Sequence, residues 1–460
     1  MRRLIVVFTL VFTLLVPATG VASGPRFSEC LLPRSAWNIV SLGAPLASER
    51  LGNKSSIRYG VIPFKLSDST SYDLTEGEKL NYLQAASMIE KLSSGAVKVE
   101  MVFYPTVDSK MLFQQAAKMV QERNIGWEKW DLNKSTFGIL KNVVRNVDPL
   151  LDLSNLDGVI LENKSRSFGA VAEAFQLFRT PPDLEVLKRG IASGYDFKFH
   201  QSIETREGFI DNGILFDTHR GTTTIAHEML HNFGLTDLYG GVVSTPGALS
   251  IMDFGSTNLL NYEKAALGWL SIEQIKCLDL SELETRPLSE NKFELNNLDK
   301  SSVIIIKFSD TDAHILEVRQ ESITPALILY KLKQNSRPPI EMMSTSTGIG
   351  QSISLTNPNS IGGILKSDQL QVMISNISDK SATLHVIPDS KLNSPELDSL
   401  RLEVERNRLA ALASLNSKRP SAAGLGVVKS TKKAITCKKG KVKVTVTGKK
   451  PKCPSGYKLN

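Results

Sequence analysis

The chain has no long apolar run beyond its first residues, no acid in its last stretch, and little histidine or cysteine. The longest apolar run, residues 4–16, falls short of the roughly 20 residues that span a bilayer. No transmembrane span is expected once that segment is removed. Residues 429–460 hold 11 lysines and no Asp or Glu, so the net charge of +8 is misleading. Taking away those lysines with Arg2 and Arg3, 13 positive charges together, leaves −5 on residues 24–428. A mildly acidic body argues against a nucleic-acid-binding core. The 460 residues are more than one ordinary core needs and allow two domains plus appendages. A composition of 41% hydrophobic and 22% charged residues is globular and excludes wholesale disorder.

Arg2 and Arg3, the apolar stretch and the small residues of 17–23 read as an export signal over 1–23, with cleavage near Ser23. The rest is then expected to be secreted, extracellular or cell-surface associated. Cys30, Cys277, Cys437 and Cys453 all survive that cleavage, and an even count in an exported chain suggests disulfides. Four cysteines allow three pairings. The preferred one joins Cys437 to Cys453 locally, which leaves Cys30 with Cys277 across the body. An alternative has Cys30 holding a metal in a latent precursor.

After an N-terminal segment, 24–54, the pattern predicts a strand over 56–64. A helix over 76–92 follows, with its apolar stripe at Leu80, Leu83, Ala86, Ile89 and Leu92. Residues 97–104 alternate as a half-buried strand. A helix over 110–122 and a strand at 157–161 come next. This βαβαβ order favours a mixed sheet covered by helices, while 209–216 is apolar but irregular. After Trp269 the texture changes. Runs at 303–308, 314–319, 326–333, 351–355, 370–377 and 382–387 carry no helical stripe and predict a β-sandwich over 271–392. Residues 393–428 read as a charged helix (395–415) and a Ser/Ala/Gly-rich linker (416–428), ahead of the Lys-rich two-Cys tail, 429–460.

The chemistry concentrates at 221–240, GTTTIAHEMLHNFGLTDLYG. His227 and His231, one turn apart on a helix, point the same way and can bind one zinc ion. Glu228 cannot join them as a ligand but can reach a metal-bound water. Ile225, Met229 and Phe233 form an apolar face that turns the histidines toward a cleft, and Thr222 or Thr223 can cap the helix start. Gly234 suits a left-handed turn that ends the helix. Asp237, delivered by that turn, completes a three-ligand set, HExxHxxGxxD. Downstream lies SIMDFG, in which Met252 fits a tight turn beneath the metal. A rival set has Glu263 as third ligand from a second helix.

The runs HEMLHNFGLTDLYG, SIMDFG and NYEKAALGWL resemble the M6 family of secreted metalloproteases, the immune inhibitor A type. The earlier SSGAVKVEMVFYPTV and the later ILEVRQ and ALILYKLK extend the resemblance over roughly 55–390. It implies an α+β fold, with a metzincin-like zinc protease domain over 55–270 ahead of the β-sandwich. It also implies endopeptidase activity on protein or peptide substrates, Zn2+ as cofactor and, as in many such proteases, a structural Ca2+. Residue by residue it makes His227, His231 and Asp237 the ligands, Glu228 the general base toward a zinc-activated water, and Met252 the Met-turn. The chain departs from the pattern at Phe254, where some metzincins carry an oxyanion-stabilising Tyr. Tyr239 or Tyr262 is the candidate substitute. Only about 30 residues separate the signal from the first strand, which is short for the long propeptide the family often carries.

A different class of reading is an exported, non-catalytic binding protein on a degenerate metalloprotease scaffold. Intact His227, Glu228 and His231 argue against it. The tail, with Val442, Val444 and Val446 on one face, reads as a small stapled β-unit suited to an anionic cell-surface polymer or to solubility alone. It resembles terminal segments of some exported bacterial proteins.

Overall fold

In a computed structural model of the 460-residue chain, the described residues are 30–33, 42–46, 48–122, 135–169, 171–179, 200–239, 249–253, 256–296, 302–321, 324–334, 336, 339–342, 352–355, 357–378, 381–418, 433–439, 442–448 and 450–459. The expected signal, Phe254 and the 419–428 part of the linker lie outside them. The described chain is of mixed α and β structure in the α+β sense, and it divides into two compact units, one through Arg408 and one from Leu409.

The first sheet contains β1 (Ser56–Lys65), β2 (Lys98–Phe103), β3 (Val107–Asp108), β4 (Gly158–Asn163), β5 (Ala172–Phe178), β6 (His200–Gln201) and β9 (Asn212–Phe216). A hairpin of β7 (Ile203–Thr205) and β8 (Gly208–Ile210) precedes β9. The strand order is β2-β1-β4-β9-β5-β6, with β3 also on β1. Strands β2, β1, β4 and β9 run parallel, and β5 runs antiparallel to β9. Parallel strands are buried on both faces, so both alternating sets of side chains are apolar. On one face Ile57, Tyr59, Val61, Ile160 and Ile214 meet α1 (Glu76–Leu92) and α4 (Thr222–Phe233). On the other, Ile62, Phe64, Val159 and Leu161 meet α2 (Phe113–Glu122) and α3 (Thr136–Val147).

Helix α1 starts at a capping box. Thr75 Oγ1 accepts from the Glu78 N–H, and Glu78 Oε2 accepts from the Thr75 N–H. Its buried stripe is Tyr82, Ala85, Ala86, Ile89 and Leu92, whereas Leu80 and Leu83 are about half exposed, at 51% and 48%. The expected stripe is thus rotated. Tyr82 takes the core position because its hydroxyl finds a buried partner, the Glu162 carboxylate.

The second half follows α5 (Asn261–Ala266). One sheet runs β10 (Ile275–Asp279), β12 (Ser302–Lys307), β13 (Asp312–Glu321), β14 (Thr324–Lys333), β15 (Ile340–Met342), with β16 (Ser352–Ser354) also on β14. The other runs β11 (Lys292–Asn296), β19 (Ser381–Pro388), β18 (Leu370–Ile377), β17 (Ile364–Lys366). Helix α6 (Leu280–Thr285) lies between β10 and β11 in the chain, and α7 (Pro395–Lys418) follows β19. Ile304, Ile306, Leu316 and Leu329 of the first of these sheets share one apolar cluster with Phe293, Val372, Ile374 and Leu384 of the second. The opposite face of the β10–β16 sheet, with Val303, Ile305, Ile315, Ile328 and Tyr330, joins the cluster that also holds α1 and α4. Residues before and after Trp269 therefore share a core.

Cys30 pairs with Cys277, at a Cα–Cα distance of 5.4 Å, and Cys437 with Cys453, at 5.6 Å. The alternative in which Cys30 holds a metal is set aside, because its sulfur is bonded to Cys277. The second unit contains β20 (Lys433–Lys439), β21 (Val442–Gly448) and β22 (Lys458–Leu459), in the order β21-β20-β22.

His314 on β13 is fully buried beside the Phe308 ring, with Nε2 3.3 Å from Asp368 Oδ1. Burial, opposed by Asp368, lowers its pKa from 6.5 to about 4. The unfolded chain takes up a proton below pH 6.5 that the folded chain refuses down to about 4. Stability should therefore be lost as pH falls through that window, by up to about 3 kcal/mol. Urea unfolding across pH 4–7 checks this, and His314→Leu should flatten the slope.

Candidate metal centre

Helix α4 carries the motif. Its N-cap is Gly221, without a side-chain cap bond. Neither expected cap, Thr222 or Thr223, takes that position, and Thr222 donates its hydroxyl to Gln84 Oε1 on α1, at 3.0 Å. Ile225, Met229 and Phe233 are buried in the shared core, with Phe233 edge-on to Trp269. Gly234 ends the helix at φ 117°, its N–H directed to the His231 and Leu230 carbonyls. That conformation favours glycine, and a Cβ there would lie 3.1 Å from Leu46 Cδ2. The turn returns the chain toward the helix and brings Asp237 back over the histidines.

Three ligand atoms converge. Asp237 Oδ1 lies 3.2 Å from His227 Nε2 and 3.2 Å from His231 Nε2. A tetrahedral site with bonds of about 2.0–2.1 Å has edges of about 3.3 Å, so these two distances fit a zinc ion. The donor set fits as well, because two imidazoles and one carboxylate make a three-ligand set of the kind zinc takes. Both rings are fixed from behind, where His227 Nδ1 is 2.7 Å from the Ile251 carbonyl and His231 Nδ1 is 2.8 Å from the Leu235 carbonyl. Carbonyl oxygens accept, so each Nδ1 donates, and each Nε2 is left to bind the metal once the ring is neutral.

Charge in the site follows from this closeness. Burial works to lower the pKa of His231, but the Asp237 carboxylate raises it to about 9. Burial works to raise that of Asp237, yet His231 and His227 hold it well below the usual carboxylate range. The cluster thus keeps a positive charge among its ligand atoms, a proton when metal-free, which a divalent cation must displace. Glu228, 7% exposed, has its pKa raised by burial against the opposing pull of His231 and His227.

The turn at 250–253 meets the site through its backbone. Met252 is fully buried, and its carbonyl accepts from the Leu238 N–H at 2.8 Å. Ile251, through its carbonyl, reaches His227. The 250–253 turn and the Asp237 turn are thus tied to each other and to the helix. Tyr239 stacks on His227, with ring centroids 6.1 Å apart. Tyr262 is a correction. It is fully buried with its hydroxyl accepting from the Leu32 N–H, so the structure does not bring it to the site. Glu263 is also away from it, fully buried, its Oε2 taken up by Ser250 and Leu260.

The structure groups His219 with Glu78 and Glu162. Lys164 Nζ sits 2.7 Å from Glu78 and 3.0 Å from Glu162, so an ammonium already pairs with both carboxylates. Calcium needs six to eight oxygen ligands, and this group does not offer them. The carbonyls of Ile251 and Leu235 that hold the rings carry no signal in the sequence, because a backbone acceptor leaves no residue-type signature.

No protein-family model matches the chain, and no curated protein matches it either.

Gly234→Ala should destabilise the protein by about 1–3 kcal/mol through the strained left-handed backbone, and should displace Asp237. Thermal melting and metal titration of the variant check both effects.

Proposed function

We propose that the chain is a secreted, zinc-dependent endopeptidase of the M6, metzincin-like type. The observation that carries the proposal is the convergence of His227 Nε2 and His231 Nε2 on Asp237 Oδ1, each at 3.2 Å, with Glu228 one residue from the first ligand. The residues that would hold zinc are those three. When bound, zinc supplies a Lewis acid that lowers the pKa of water to about 7 and polarises a carbonyl.

The protein's own groups do the rest. Glu228 takes a proton from the attacking water and passes it to the leaving amine. Its burial raises its proton affinity, which suits both halves of that transfer. Tyr239, stacked on His227, is the remaining candidate to support the developing oxyanion. An extended peptide lies along an edge strand and is read through its backbone hydrogen bonds. The two β-sheets after residue 271 form the β-sandwich in this reading. Export is supported by the Arg2/Arg3-led apolar segment and by the two cysteine pairs.

The experiment is metal analysis of the purified protein together with casein cleavage in the presence and absence of a chelator. The wild type should hold one zinc and lose activity to the chelator. Glu228→Ala should keep the zinc and lose at least about 100-fold in turnover. A chain that binds no zinc, or a fully active Glu228→Ala variant, ends the proposal and favours the non-catalytic binding protein.

A second reading concerns the tail. Lys438 lies directly opposite Lys443 on one side and Lys458 on the other, and all three are exposed. Like charges in register oppose each other, and no acid occurs from Leu409 onward to relieve them. The opposite face carries the buried Cys437, paired with Val444. This lysine row is proposed to take an anionic cell-surface polymer. Binding to immobilised poly(glycerol phosphate) should weaken as salt rises. It should fall about tenfold or more when Lys438, Lys443 and Lys458 are changed to Glu. Unchanged binding and unchanged cell-surface retention after deletion of 429–460 would leave the tail a solubilising end.

A further inference from the structure

A buried polar chain leads from the β10–β16 sheet to His227. Glu263 on α5 is fully buried, and its Oε2 accepts from Ser250 Oγ at 2.7 Å and from the Leu260 N–H at 2.8 Å. Ser250 Oγ in turn accepts from the Met252 N–H at 3.0 Å. Those bonds clamp the turn on both sides of Ile251, whose carbonyl accepts from His227 Nδ1 at 2.7 Å. On the far side, Asn261 of the same short helix donates to the Val318 carbonyl at 2.9 Å and the Ser302 carbonyl at 3.1 Å. That part of the sheet carries its own buried ion pair, with Arg319 Nη1 3.3 Å from Glu317 Oε1. Tyr330 adds a hydroxyl bond to Glu317 Oε2 at 2.8 Å.

A helix-capping role explains only the bond from Leu260. It leaves the Ser250 bond and the complete burial of the carboxyl unexplained. Replacing buried polar groups with apolar ones of similar volume is often neutral or stabilising, so packing alone does not call for a carboxyl here. A role in fixing one arrangement of the turn does.

We propose that Glu263 is a positioning residue. Through Ser250 it sets the 250–252 turn so that the Ile251 carbonyl orients the His227 ring, which makes the β-region after residue 271 a working part of the site. The effect on a bound metal rests on the zinc reading above, whereas the effect on the His227 ring does not.

The test uses the full chain with two readouts, the 15N NMR signals of the His227 ring in metal-free protein and Co2+ affinity. Glu263→Leu and Ser250→Ala should shift the His227 Nδ1–H resonance. They should also weaken Co2+ binding by about 10–100-fold, the usual effect of losing a partner behind a metal ligand. Glu263→Gln should restore both, because one amide oxygen can take the two bonds that Oε2 accepts. Folded Glu263→Leu and Ser250→Ala proteins with wild-type ring signals and wild-type Co2+ affinity overturn the proposal, as does a Gln variant no better than Leu. If Glu263→Leu fails to fold, Ser250→Ala decides by itself, since it removes a single oxygen. If the wild type binds no Co2+, the zinc reading fails, and the ring resonance still tests the positioning.

Discussion

Two imidazole nitrogens each lie 3.2 Å from one carboxylate oxygen of Asp237 in a largely buried site, and that closeness demands positive charge among them. In the metal-free protein the charge is a proton, which is why His231 is raised to about 9 and Asp237 lowered. Nothing in α4 alone would hold such an arrangement. A helix puts His227 and His231 on one face, but Asp237 reaches them only because Gly234 reverses the chain and the Leu238 N–H is fastened to Met252. The ligand set is thus a property of two turns and a helix, each held by backbone hydrogen bonds rather than by the ligands' own attraction.

This explains what could be read from the sequence. Helix period placed the two histidines together, glycine marked the left-handed end, and the short spacing to Asp237 left few other places for that carboxylate to go. Those inferences rest on local geometry, which sequence spacing encodes directly. Tyr262 failed as a candidate because its position depends on distant Leu32, which no local pattern reports. The stripe of α1 was rotated for a similar reason. Leu80 and Leu83 lost the core to Tyr82, whose hydroxyl needed the distant Glu162.

The β-rich half shows the same limit at larger scale. Six apolar runs told of strands, and the strands are there at 302–307, 312–321, 324–333, 352–354, 370–377 and 381–388. The runs did not tell which faces are buried. Ile304 and Ile306 look toward the β11–β19 sheet, while Val303 and Ile305 look the other way, into the core that contains α4. A strand covered on both sides reads as a plain apolar run whatever lies against it.

That shared core bears on the site itself. Met229 and Phe233 stand on the back of the helix whose front carries His227 and His231, and they belong to one cluster with Ile305, Ile315 and Tyr330. Close-packed interiors transmit displacement rather than absorb it. A change in the β10–β16 sheet therefore reaches α4 through apolar contacts, and reaches the 250–252 turn through Asn261 and Glu263 on α5. The front and back of the metal-site helix are referenced to the same sheet. Two independent supports from one rigid element hold the geometry of His227 and its neighbours more tightly than either would alone.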